Sequence, residues 1–196
     1  MKMKFINQSK LFYIVLIIFV FSIMTSCLND KKNNDVNDIY DGKNPSEIIN
    51  LNKEIVAQYL VKIAEINLIQ IQLGQLSKKK AFYVDVRELG EITENLHSGL
   101  QTELLEIAKS KLISIPNIYS KQKDILKHLS NEKGTDFDQI YCNMVIDNLD
   151  ENIILCEKIF KISEDNELKK WSSTLIIKLK KHLIKSKTCL SEIEKM

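Results

Sequence analysis

Glycine and proline are scarce in this chain, with five and two copies in 196 residues. Few positions can therefore break a helix or supply left-handed backbone. No stretch alternates with the two-residue period of a strand, so a β fold has no foothold. Cys-x-x-Cys is absent, which removes thioredoxin-like redox chemistry and zinc ribbons. Also missing are a Gly-rich phosphate loop, a nucleophile elbow, His-Glu-x-x-His and an EF-hand loop. Excess charge is lacking too. The 28 basic and 26 acidic residues leave +2 overall, and the one basic cluster, Lys78-Lys79-Lys80, reads as a solvated turn. Such a balance offers no electrostatic footprint for nucleic acid.

What is present begins at the N-terminus. Lys2, Lys4 and Lys10 precede an unbroken apolar run from Leu11 to Phe21, and Met24-Thr25-Ser26 lead into Cys27. A basic start, an apolar stretch of ~7–15 residues and small residues at the end form a secretory signal. The segment resembles a bacterial lipoprotein signal, with Cys27 as the lipidated first residue of the mature protein. An uncleaved anchor is the other reading, although a spanning helix needs ~20 apolar residues. Residues 1–26 carry three of the 28 basic residues and no acid, so the mature chain has 25 against 26, a net −1. Both readings place the remainder outside the cytoplasm and tied to a membrane, the bacterial cell envelope in the lipoprotein case. Residues 27–44 read as a polar tether, and 45–196 as one domain.

Setting Cys27 aside leaves Cys142, Cys156 and Cys189. Cys142 and Cys156 stand fourteen residues apart, on one helix face but out of reach of each other. Cys189 can meet one of them across a helix pair; otherwise all three are small buried hydrophobes.

From Asn44-Pro45-Ser46-Glu47, a helix start, apolar residues recur at three and four. The first long helix runs from Pro45 to about Ser77, with Ile49, Val56, Tyr59, Leu60, Ile63, Ile66 and Leu73 inward. The second runs from about Tyr83 to Ile113, with no Gly or Pro marking the break before it. Pro116 stops it, a short helix follows around 120–131, and Thr135 to Asp138 cap a third long helix reaching Ile162. Ser163-Glu164-Asp165 starts the fourth, which continues to the C-terminus. Phe137, Tyr141, Phe160 and Trp171 fall at core spacing. The expectation is an all-α, antiparallel four-helix bundle with short connections and one extra short helix between the second and third long ones.

Each stripe contains a polar residue: Gln70, His97, Asn148 and His182. Burying such a group without a partner costs about 1–3 kcal/mol. The four are therefore expected to bond one another, a water or a ligand. His128, alone in the short helix, reads as a surface residue.

Four motifs in order resemble the bacterial ferritin-like family catalogued as domain of unknown function 4142, over residues of about 57–190. Asn67, Ile71, Leu73, Gly74 and Leu76 match its first motif, with Gln70 where Glu is usual. Val86, Leu89 and His97 match the second loosely, Thr93 and Leu96 standing for Met and Asp. Phe137, Asp138, Tyr141, Val145 and Asp147 match the third, Asn148 replacing His, and Leu179, His182 and Leu183 meet the last. The resemblance implies a ferritin-like bundle. A di-metal site of that type needs several carboxylates and two Glu-x-x-His pairs, and Glu94-x-x-His97 occurs once. The leading expectation is a lipid-anchored envelope protein in a non-enzymatic binding, structural or stress-related role, without a cofactor. The alternative is a metal-binding or redox bundle using His97 and His182. A third is a small-ligand carrier with a cavity beside Gln70 and Asn148.

Overall fold

The computed structural model describes residues 43–116 and 123–196. The expected signal, Cys27 and nearly all of the tether lie outside these residues. The described chain holds five helices and no strand: α1 (Pro45–Lys80), α2 (Val84–Ser110), α3 (Lys123–Asn131), α4 (Gly134–Ile162) and α5 (Asn166–Ile193). None of them is long and apolar enough to cross a membrane.

The four long helices form because their apolar residues fall on single stripes. Val56, Leu60, Ile63, Ile66 and Leu73 of α1 are buried, as are Leu100 and Leu104 of α2, Val145 and Leu149 of α4, and Leu175 and Leu179 of α5. Each such side chain contributes roughly 1.5–3 kcal/mol. Ile49, Tyr59 and Trp171 are only half-buried. Phe160, expected inward, is 49% exposed; it follows the buried Ile159 and so points about 100° away from the core line.

The break between α1 and α2, unmarked by Gly or Pro, has a cause far along the chain. Asp138 of α4 is fully buried, and its carboxylate accepts from the amides of Phe82 (2.9 Å) and Tyr83 (2.7 Å). Those donors lie at the start of α2, where the helix cannot satisfy its own amides. Asp138 therefore caps α2 rather than its own helix. Correspondingly, α4 starts at Gly134 with no side-chain cap, and Gly134 takes the left-handed φ of 60° that glycine tolerates best. Within the expected start Ser163-Glu164-Asp165, it is Asp165 that caps α5, accepting from Glu167 and Leu168.

Helix α1 packs on α2 and α4, and α5 packs on α4 and α2. Cross-contacts set the directions. Asn67 meets His97 and Ser77 meets Val86, so α1 and α2 are antiparallel. Gln70 meets Val145 and Asn67 meets Asn152, making α1 and α4 antiparallel. The same reading of Thr93–His182 with Glu103–Lys178 applies to α2 and α5. Helices α2 and α4 thus run the same way, and the chain must travel back between them. The connection between them holds α3, the short extra helix expected around 120–131. Leu129 anchors α3 in the core while His128 is exposed.

Candidate functional site: a sealed polar cluster

Close approach of α1 and α2 positions the site. A Cβ on Gly74 would lie 2.5 Å from the Gly90 carbonyl oxygen, and one on Gly90 would lie 2.8 Å from Ser77. Only glycines permit this spacing, which brings Asn67 and His97 together across the same interface.

Three of the four expected residues, Gln70, His97 and His182, are buried. Asn148 is half-buried. Its place in the interior is taken by Asn152, which is fully buried. Counting from the buried Val145, a residue three along is rotated about 60° off the stripe and one seven along only about 20°. Asn67 and Thr93, also fully buried, complete the cluster. Both lay on the stripes, Asn67 three before Gln70 and Thr93 four before His97, but short polar side chains in helices more often face water.

Two hydrogen-bond chains lock the histidines. In the first, Cys156 Sγ donates to Asn152 Oδ1 (3.8 Å), and Asn152 Nδ2 donates to Asn67 Oδ1 (3.4 Å). That oxygen also accepts from His97 Nδ1 at 2.8 Å. An amide oxygen has no proton, so His97 carries its own on Nδ1 and leaves Nε2 as a bare lone pair. In the second, Thr93 Oγ1 donates to the Leu89 carbonyl (2.8 Å), which uses its only proton. It must then accept from both Tyr141 Oη (3.2 Å) and His182 Nε2 (3.1 Å). His182 is therefore protonated on Nε2 and bare on Nδ1.

His97 Nε2 and His182 Nδ1 are buried without a partner. Gln70 donates through Nε2 to the Val145 carbonyl at 3.0 Å, leaving Oε1 unpaired, and Asn67 Nδ2 is unpaired as well. The cluster thus offers three bare acceptors and one free donor. Burial holds His97 down to about 3, helped by His182, and His182 down to about 4, helped by Lys185. Both are neutral at pH 7. The rings lie 6.0 Å apart between centroids.

Among the described residues no three His, Cys, Asp or Glu side chains are placed to share a metal ion. Glu94 bonds Gln75 at 3.0 Å and pairs with Lys78 instead of turning to His97. The donors do not fit a di-metal centre of the ferritin type. A cavity of about 290 Å³ sits near the start of α1, lined by Ile49, Val56, Lys111 and Leu168 among others; neither Gln70 nor Asn148 lines it.

The family model described as Domain of unknown function (DUF4142) matches residues 50–188. The chain belongs to this family. No curated protein and no solved structure matches it. Within this DUF4142 chain the motif residues have physical roles. Gly74 sets the helix spacing, Asn67 fixes the His97 tautomer, Asp138 caps α2, and Tyr141 bonds Thr93.

Cys142, Cys156 and Cys189 are free and buried. The neighbouring Cys189 thiol, with burial, pushes Cys142 up, while Cys142 pulls Cys189 down. Burial pushes Cys156 up to about 12.

Proposed function

We propose that this protein is lipid-anchored through Cys27 in the bacterial cell envelope, and that its domain is a ferritin-type four-helix bundle with a non-enzymatic binding or structural role. The bundle reading draws support from the ring of antiparallel neighbours and from the single long crossover between α2 and α4, the connection typical of ferritin-like folds. Anchoring rests on the basic, apolar and small-residue pattern that ends at Cys27. One observation carries the non-enzymatic reading: among the described residues, the interior polar cluster holds neutral, hydrogen-bonded histidines buried from solvent, and Glu94, the carboxylate spaced to reach His97, is turned to Lys78 and Gln75 instead. General acid–base work needs a group that titrates near the working pH and reaches substrate. Mass spectrometry of protein from the membrane fraction tests the anchor. A mature N-terminus at acylated Cys27 supports it, and any other N-terminus removes it.

A second reading, a metal-binding bundle, is favoured by the two buried nitrogens of His97 and His182 that no hydrogen bond occupies. Metal analysis of protein purified without chelators tests it, with metal lost in a His97→Ala/His182→Ala variant as the supporting result.

A further inference from the structure

We infer that His97 Nε2 and His182 Nδ1 together hold one soft monovalent cation of the cuprous class; this rests on the metal-binding reading above. Charge decides the class. Both rings are neutral, and no carboxylate lies in the cluster: Glu94 is engaged by Lys78 and Gln75, and Asp138 by the Phe82 and Tyr83 amides. A divalent ion placed here keeps its full double charge in a low-dielectric interior, where each uncompensated charge costs several kcal/mol. A singly charged d¹⁰ ion halves that charge and is content with two imidazole ligands, a donor type that suits copper.

Spacing agrees. Metal–nitrogen bonds of about 2.0–2.1 Å place each ring centroid roughly 3 Å from the ion, so two nearly opposed rings sit about 6 Å apart. The observed separation is 6.0 Å. The outer bonds also suit a ligand role. Asn67 and Thr93 each hold the far nitrogen of one ring, the arrangement that fixes metal-ligating histidines.

The test is an anaerobic titration of the full chain in detergent with Cu(I), and separately with Ag(I) and Zn(II), read by X-ray absorption. It is run on a Cys142→Ala/Cys156→Ala/Cys189→Ala variant, because Cys156 joins the His97 chain and all three are free thiols that would compete. The expected result is one Cu(I) or Ag(I) per chain with imidazole nitrogen ligands. Asn67→Ala should weaken binding by about 10–100-fold, while Asn148→Ala leaves it unchanged. Should the variant fold poorly, the unsubstituted chain loaded with two equivalents must show imidazole scattering beside sulfur. Zinc bound at the histidines with no Cu(I) there overturns the charge argument but keeps the metal reading. Sulfur ligation alone, or no cation at the histidines, overturns both and leaves a buried water as the occupant.

Discussion

His97 and His182 meet across α2 and α5 with ring centroids 6.0 Å apart, each bonded through a different nitrogen: Nδ1 to Asn67 in one, Nε2 to Thr93 in the other. Their remaining nitrogens are bare acceptors in a sealed interior. Stability, pH response and ligand preference all follow from that pairing.

Acid should destabilise the fold earlier than its carboxylates alone require. In the unfolded chain both histidines take up protons near 6.5, while in the folded chain burial holds them down to about 3 and about 4. The unfolded state therefore binds more protons below 6.5. The contribution is fully present above that value and is lost as pH falls toward 4 and then 3. Each histidine adds a slope of at most roughly 1.4 kcal/mol per pH unit. Urea unfolding between pH 7 and 5 should show the decline, and His182→Gln should reduce its slope; a flat profile contradicts the burial of both rings.

Gly74→Ala should cost about 1–3 kcal/mol, because the added methyl meets the Gly90 carbonyl and the Glu94 backbone. Gly99, whose Cβ would meet nothing within 4 Å, is the control. Gly99→Ala should be neutral or stabilising by about 0.5–1 kcal/mol through helix propensity. Equal effects at the two sites in thermal melts would show that α1 and α2 do not approach closely.

Asp138→Ala should remove about 1–3 kcal/mol, since it strips the part-buried amides of Phe82 and Tyr83 of a charged acceptor. Hydrogen exchange gives the sharper readout. Those two amides should lose protection in the variant while amides in the middle of α5 keep theirs.

Thiol chemistry should separate the three cysteines. Cys142 and Cys189 are neighbours on α4 and α5, so exposure to oxidised glutathione should join them by exchange, releasing two equivalents of glutathione thiol per bridge formed. Cys156, buried and pushed up to about 12, should stay reduced and unlabelled by maleimide until the chain unfolds. Peptide mapping under non-reducing conditions distinguishes the bridge from any pairing with Cys156.

Much of this architecture is legible in the sequence because helical periodicity reports burial directly. The stripe from Val56 to Leu73 and the cap at Asp165 follow from spacing and from local chemistry. The α1–α2 break is different: its cap comes from Asp138, more than fifty residues away, and no local pattern encodes a contact of that range. That α2 and α4 run the same way was hidden for a similar reason, since an antiparallel or parallel relation between them leaves the same stripe on each. In the polar cluster, histidine and glutamine stand out among leucines, whereas Asn67, Thr93 and Asn152 do not. On α4 the inward asparagine is 152 and not 148, because three residues on from Val145 fall about 60° off the stripe and seven only about 20°.

Histidine side-chain ¹⁵N NMR of the folded protein at pH 6 tests the central claim most directly. Two neutral rings in slow exchange are predicted, one protonated on Nδ1 and assigned to His97, the other protonated on Nε2 and assigned to His182. Charged rings, or signals averaged between the two tautomers in either residue, would contradict the locked cluster.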